Sequence, residues 1–438
     1  MPKVLLMGNG AREHVIAETL RKNKDVKLYS YLKSRNPGIV SLSEGFELGN
    51  YNDLEKIKRY SEKIKPDFAF IGPEEPLGNG VVDLQKEIGI ESIGPTKNLA
   101  RLETSKSFAR NLLKKHKISG NPEFAIFTEK NIKDAKKFIG GIGQCVIKPD
   151  GLTGGKGVKV QGDHFETKMQ ALDYCDEVLQ SHEAVVVEEK FEGEEFSLQC
   201  LTDGKTAVAM PPVQDHKRAF AGDKGPNTGG MGSYSCEDHL LPFLEKKYVE
   251  EGLKITQKVA DALYKETGEY YNGVMYAGLI VTKSGVKLLE YNSRFGDPEA
   301  MNVLAIMETD LLKVCNAMLG RQLNKMKIKF QNKATVCKYV VPEGYPDSPL
   351  KNEKITIGKI PQGGRVYYAS VEQKENNLYS TGSRAIACLG IADNMEKAER
   401  IAEESAKSVK GRVFHRKDIG TRELIGKRTR HMEEIMGF

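Results

Sequence analysis

Near the start of the chain, short apolar runs alternate with segments of helical spacing. Residues 4–7 form such a run, closed by Gly8-Asn9-Gly10, and Val15, Ile16, Thr19 and Leu20 then recur on one helix face. Residues 26–32 and 67–71 read as two more strands, the second ended by Gly72-Pro73, and residues 92–94 as a short fourth. Strands that alternate with helices predict a parallel sheet in a doubly wound layer. This first domain is expected over 1–100.

Leu99, Leu102, Phe108, Leu112 and Leu113 then mark the apolar side of a charged helix. A compact α/β segment follows: strand 124–127, helix 132–139, strand 145–148, a glycine-rich stretch 151–157, strand 158–161, a helix from about Phe165, and strand 184–189. Residues 196–210 predict a hairpin, because Asp203-Gly204 supplies the positive φ angles of a tight turn. A loop of unusual composition, 214–232, leads to a long helix near 243–267 and a strand pair, 273–282 and 286–291. From about Lys327 come short strands, a helix 395–409, a strand 412–415 and a final helix. The pattern predicts an α/β chain of three domains, 1–100, 101–326 with a small lid at about 120–190, and 327–438.

Composition narrows the setting. The 438 residues are 39% hydrophobic, yet no run approaches the ~18 apolar residues of a membrane span. The apolar start, residues 4–7, is too short for a signal peptide. Seven cysteines lie far apart, with neither a Cys-x-x-Cys knuckle nor a disulfide framework, which predicts a reducing cytoplasm. The net charge of +6 is concentrated at the end: residues 405–438 hold nine Lys or Arg against four Asp or Glu. Lys427, Arg428 and Arg430 read as a solvated helix face. No basic stripe interleaved with aromatics is visible, so a nucleic-acid-binding protein without catalysis is disfavoured.

The candidate chemistry lies in four stretches. Gly8-Asn9-Gly10 begins like a dinucleotide fingerprint, but Glu13 stands where the third glycine belongs and no ribose-binding acid follows. Its helix N-terminus suits one phosphate. Lys148-Pro149-Asp150-Gly151-Leu152-Thr153-Gly154-Gly155-Lys156-Gly157 is a stronger phosphate signal, with four glycines and two lysines after an apolar strand. The spacing is not that of a P-loop. The strand ending at Glu188 and Glu189 has an edge that could read adenine, with Glu194 and Glu195 beyond it for ribose hydroxyls. Glu290 and Asn292 share one strand face and suit Mg²⁺ or Mn²⁺, with Arg294 on the same face for a carboxylate or phosphoryl group.

With these residues assembled, the chain resembles the glycinamide ribonucleotide synthetase (phosphoribosylamine–glycine ligase) family of ATP-grasp enzymes over nearly its whole length. The matching segments are Gly8-Asn9-Gly10 with Arg12-Glu13-His14, Gly72-Pro73-Glu74, Ser105-Lys106 and the 148–157 loop. Gln214-Asp215-His216-Lys217-Arg218, Gly225-Pro226-Asn227-Thr228-Gly229-Gly230-Met231-Gly232, the 292–299 stretch and Arg416-Lys417-Asp418-Ile419-Gly420 complete them. Of these, the Gln-Asp-His-Lys-Arg and Gly-Pro-Asn-Thr-Gly-Gly-Met-Gly segments are specific to that family. The chain departs from it at Pro149, Thr153 and Gly154, and at Ala300 and Met301 where the family usually has Thr-Gln.

The resemblance implies a multidomain ATP-grasp fold with a small mixed C-terminal α+β domain. It implies that glycine's carboxylate takes the γ-phosphoryl group of ATP, and that phosphoribosylamine then attacks glycyl phosphate. Arg294, Lys148 and Asp297 would be catalytic, with Lys106, Lys148, Gly155, Lys156, Gly157, Glu188, Glu189, Phe191 and Glu195 on ATP. The other substrates would meet Gly8, Asn9, Gly10, Arg12, Glu13, Glu74, Asp215, Lys217, Asn227, Thr228, Gly230, Met231, Gly232, Arg294 and Asp297. Arg416 and Lys417 are expected at the sugar phosphate, which gives the basic C-terminus a purpose without nucleic acid. The partners are then small molecules (ATP, glycine and 5-phosphoribosylamine), with no membrane, in a monomer or small homo-oligomer. A ligase that acts on another acid at the same nucleotide site is the nearer alternative.

Overall fold

The computed structural model describes residues 1–154 and 157–437. Five strands, β1 (Lys3–Met7), β2 (Lys27–Leu32), β3 (Gly45–Leu48), β4 (Phe68–Ile71) and β5 (Glu91–Ile93), pair in parallel in the order β3-β2-β1-β4-β5. Alternation along β1 explains the double winding. Val4 and Leu6 join one core with the helix Ala11–Arg21, while Leu5 and Met7 join another with Ile57 and Val81 on the opposite face. Edge strand β3 and the helices Pro37–Leu42 and Leu54–Ile64 were not evident from the apolar pattern.

The single charged helix expected around 99–113 is two helices, Lys97–Thr104 and Lys106–Lys115. Ser105 breaks it: its backbone is extended, and its hydroxyl accepts from the Phe108 N–H at 3.1 Å to start the second helix. The lid holds β6 (Phe124–Phe127), β7 (Cys145–Pro149), β8 (Lys159–Val160) and β9 (Val185–Glu189) in the order β6-β9-β7-β8, all antiparallel. It has its own core, in which Phe127, Ile139, Ile147, Cys175 and Val187 meet. Its second long helix starts at Lys168 rather than Phe165, because Thr167 and Gln170 form a reciprocal cap.

Strands β10 (Glu194–Asp203) and β11 (Ala207–Ala209) form the expected hairpin. The stretch read as a loop contains β12 (Gln214–Asp215), the ribbon β13 (Arg218–Phe220) and β14 (Lys224–Asn227), and β15 (Gly232–Ser235). After the helix Lys246–Thr267, β16 (Asn272–Thr282) and β17 (Gly285–Asn292) complete a sheet in the order β11-β10-β16-β17. The third region does not stand apart. Its strand β18 (Ala334–Pro342) pairs with β15, so one six-stranded sheet runs from β12 and β15 through β18 to Ile386–Ala392 and Gly364–Tyr368. All seven cysteines are buried free thiols. Among the described residues, no helix is long and apolar enough to cross a membrane.

Candidate active site

The end of β17 carries Glu290 and Asn292 to one face, opposite Gly278 and Tyr276 of β16. Gly278 leaves room there, since a Cβ would lie 3.3 Å from Cγ of Glu290. Arg294 follows the strand and donates to Asn292 Oδ1 at 3.2 Å and to Glu74 Oε2 at 3.1 Å. Its Nη2 also lies 3.1 Å from Oε1 of Glu103, whose other oxygen accepts the Ser293 N–H at 2.6 Å. Arg12 joins from the first domain, paired with Glu13 and 3.9 Å from Glu74. An alternating chain of charge thus links the two regions across the Glu290–Asn292 face. Burial pushes Glu103 up to about 7, with Glu74 adding to the rise against Arg294. Burial also opposes ionisation of Glu74, but Arg294 and Arg12 outweigh it and hold the carboxyl at about 2.

Two lysines close the other side. Lys106 donates to the Gly151 carbonyl at 2.8 Å. Lys148 donates to Leu289 O at 2.9 Å and pairs with Glu188 at 2.8 Å. Burial would raise the Glu290 carboxyl, yet Lys217, Lys148, Lys106 and Arg294 hold it below the ordinary range. It remains an anionic oxygen donor inside a ring of cations. Among the described residues, no group of three or more His, Cys, Asp or Glu forms a metal site. The available set is the Glu290 carboxylate and the Asn292 amide oxygen.

A second pocket wall adjoins this one. Gly230, at φ +109°, brings its loop so close that a Cβ would lie 2.7 Å from Asp215 and 2.6 Å from Pro298. Thr228 steadies the loop, its hydroxyl donating to Lys217 O at 2.8 Å and accepting from the Gly230 N–H at 3.0 Å. Asn227 lies opposite Arg218 in the ribbon. Asp297 accepts from the Tyr339 hydroxyl, and its Oδ2 would lie 3.5 Å from a Cβ on Gly10. Burial, with Glu299 nearby, pushes the Asp215 carboxyl well above its usual range. Lys217 is raised by Glu195, 3.5 Å away, and by Glu290 despite burial.

The family profiles described as phosphoribosylglycinamide synthetase N domain, ATP-grasp (A) domain and C domain match residues 2–103, 104–300 and 335–422. The chain belongs to the phosphoribosylglycinamide synthetase family. It is 49% identical to the phosphoribosylamine–glycine ligase of Methanocaldococcus jannaschii, with 99% of each chain covered. It is 44% identical to that of Pyrococcus furiosus over 100% of this chain and 98% of the other. The crystal structure of phosphoribosylamine–glycine ligase from Thermotoga maritima superposes with a TM-score of 0.80 at 27% identity, covering 95% and 99% of the two chains. A biotin carboxylase domain from Hydrogenobacter thermophilus, solved with MgADP, shares the fold at a TM-score of 0.73 and 17% identity over 99% and 97%.

Several site residues expected from the family resemblance sit differently in the structure. Strand β9 is not an edge: β6 and β7 flank it, and the ladder extends to the Lys190 N–H, which donates to Gln144 O. Backbone leaves that ladder from Phe191 onward. The Glu188 carboxylate is 3% exposed and points inward to Lys148 and Arg110, so it does not face a base. Glu189 accepts the Glu123 N–H at 2.8 Å. Glu195 is exposed, and Phe191 lies 5.8 Å from the Lys287 ammonium. Gly155 and Lys156 lie outside the described residues, while the Gly157 carbonyl accepts from the Tyr174 hydroxyl at 2.7 Å.

The Gly8–Gly10 turn already holds a carboxylate. Glu13 accepts the Gly10 N–H at 2.6 Å, and a Cβ on Gly8 would lie 2.1 Å from Glu13 Cγ. Asn9 bonds both polar groups of Ser34. Met231 is fully buried, and Gly232 packs where a Cβ would lie 2.2 Å from Cys337 O, so both seat the loop instead of lining a pocket. Arg416 is 2% exposed, with its donors engaged by Asp418, Asp223 and Arg218 O, which excludes the free phosphate contact expected of it. Lys417 is exposed. Arg428 is no solvated side chain either: it pairs with Asp223 and lies 3.6 Å from Glu194. Ala300 and Met301 are both fully buried core residues.

Sequence reasoning missed Arg110, Glu103, Tyr339 and Arg384. Arg384 donates one nitrogen to the carbonyls of Gly229, Gly230 and Asp297 at 2.7, 2.9 and 2.8 Å, and stacks over Tyr339 at 4.4 Å. A Thr-Gly-Ser-Arg turn before an apolar strand was the available signal, but nothing local identified its targets.

Proposed function

We propose that this chain joins glycine to 5-phosphoribosylamine in an ATP-driven reaction, giving glycinamide ribonucleotide, ADP and phosphate for purine synthesis. The observation that carries the reading is the ring of Lys106, Lys148, Lys217 and Arg294 about Glu290, placed against the Asp215–Asp297 wall. The names of relatives at 44–49% identity support the choice of substrates.

Glycine's carboxylate and the triphosphate are both anions, and the reaction requires them side by side. Arg294, held by Glu74, Glu103 and Asn292 yet still partly exposed, brings its charge to the carboxylate or the transferring phosphoryl group, with Lys106 and Lys148 beside it. A carboxylate oxygen of glycine attacks the γ-phosphorus, and ADP leaves. The amine of phosphoribosylamine then attacks the acyl carbon of glycyl phosphate, phosphate departs, and the amine gives up a proton. Positioning of the reactants by Asp297, Asp215 and the 227–230 loop supplies much of the rate. Hard oxygen ligands at Glu290 and Asn292 fit Mg²⁺ or Mn²⁺, which when bound would neutralise phosphate charge and orient the γ-phosphoryl group. Phe191 and the backbone after it suit adenine, Glu195 the ribose, and Lys417 with Asn9 the sugar phosphate.

The same reading assigns substrate recognition to 1–100, nucleotide chemistry to 101–326 with its lid at about 120–190, and Lys417's contact with the sugar phosphate to the C-terminal domain, 327–438. It places a monomer or small homo-oligomer in the cytoplasm, in keeping with seven free thiols. Phosphate release should require ATP, a divalent ion, glycine and freshly made phosphoribosylamine together. Release that is indifferent to glycine, with another acid substituting fully, would end this assignment.

A further inference from the structure

Arg218, in the β13–β14 ribbon, is held from three directions. Its Nη2 lies 2.9 Å from Oδ2 of Asp163 in the lid, in the turn that follows β8. Its Nη1 donates to Gly225 O at 2.9 Å, across the ribbon. Its own carbonyl accepts from Nη1 of Arg416 at 3.0 Å, in the C-terminal region. Among the described residues, the Arg218–Asp163 contact is the only ion pair between lid and ribbon. The ribbon is fixed at its far end as well, where Asp223 pairs with Arg416 and Arg428 and the Gly222 N–H donates to Asp418 at 2.9 Å.

The ribbon's roots are the acceptor wall itself. One strand begins directly after Asp215 and Lys217, and the other runs into Asn227, Thr228 and Gly230. A displacement of the ribbon therefore moves the pocket wall, and a displacement of the lid is felt at Arg218. We propose that Arg218 is a positioning residue that couples closure of the lid to assembly of the acceptor pocket, through its ion pair with Asp163.

This inference rests on the ligase reading, because coupling matters where an acyl phosphate must be kept from water. With the lid apart from the ribbon, water's oxygen bonds to the acyl carbon of glycyl phosphate. The bond to the phosphate oxygen breaks, phosphate leaves, and a proton passes to solvent. Glycine returns unchanged and the ATP has been hydrolysed. A seated ribbon presents the amine while the closed lid keeps that water out.

The test is the ratio of phosphate released to amide formed, measured on the full-length enzyme with all substrates saturating. Asp163 is half exposed and lies outside the binding machinery, so Asp163→Asn should fold normally. We expect that variant to raise the ratio about two- to fivefold, the scale of one partly exposed ion pair. Asp163→Glu, which keeps the charge, should return most of the way to the wild-type ratio. An unchanged ratio in Asp163→Asn, or an equal rise in both variants, overturns the proposal. A wild-type enzyme that forms no amide from glycine and phosphoribosylamine would instead overturn the ligase reading.

Discussion

Arg110 and Glu188 form a two-pronged buried pair, with Nε to Oε1 at 2.6 Å and Nη2 to Oε2 at 2.8 Å. Arg110 also donates to the carbonyls of Leu288 and Leu289, at 3.1 and 2.6 Å. One side chain on the Lys106–Lys115 helix therefore grips the lid through β9 and the Glu290-bearing strand β17. Lys148, the other cation on Glu188, shares the Leu289 carbonyl with Arg110.

Replacing Arg110 by Ala removes the larger share of the charge that compensates Glu188. Breaking such a buried pair from one side typically costs about 3–5 kcal/mol. Urea unfolding should show a loss on that scale, together with a raised KM for ATP. A loss below about 1 kcal/mol would mean that Lys148 alone satisfies Glu188.

Glu290→Gln keeps shape but removes the anionic ligand. Turnover at saturating Mg²⁺ should fall at least ~100-fold, while thermal unfolding stays near wild type. Near-normal turnover in this variant would relocate the metal.

Glu103 gives a pH signature with a definite sign. Its folded pKa of about 7 exceeds the ordinary 4.5, so the folded state binds this proton more tightly. The group's contribution to stability is complete below pH 4.5 and is lost as pH rises through 7. Glu103→Gln is neutral throughout. Relative to wild type, it should gain on the order of 3 kcal/mol between pH 4.5 and 8. A stability difference that does not change with pH would show that the carboxyl is already ionised at the acid end.

Arg416 and Lys417 should separate cleanly. Arg416→Ala strips four part-buried hydrogen bonds and should lower unfolding stability by about 2–4 kcal/mol. Lys417→Ala should leave stability within about 0.5 kcal/mol. It should raise the KM for phosphoribosylamine roughly tenfold or more, without changing that for ATP. Equal effects on both substrates would point to a structural role for Lys417.

The features that could be read from the chain were those decided within a few residues. Two-residue alternation put Glu290 and Asn292 on one face, and the strand ending at Lys148 was legible as an apolar run closed by glycines. What escaped was set at long range. The break at Ser105 is reinforced by Asp150, which accepts from the Ser105 hydroxyl and the Ser107 N–H at 3.3 and 3.2 Å. Arg416 looked like a free cation because, beyond its neighbour Asp418, its other partners Asp223 and Arg218 O lie 193 and 198 positions away. Strand β9 looked like an edge because β6 and β7 pair with it from both sides only in the folded sheet.

The pairing of β15 with β18 bears on how such an enzyme could acquire a new acceptor. A recognition module that hung from a linker could be exchanged at one junction. Here the 214–235 segment, the acceptor wall of the proposed reaction, is woven into the sheet of the C-terminal region, while its sequence lies within the 104–300 match to the ATP-grasp domain profile. A transplant that altered acceptor choice would have to carry two separated pieces, around 212–235 and 334–420, in a single step. Moving only the second would strand β15 with an open edge, ready to pair with another chain. An exchange of either piece alone would have to rebuild the β15–β18 pairing.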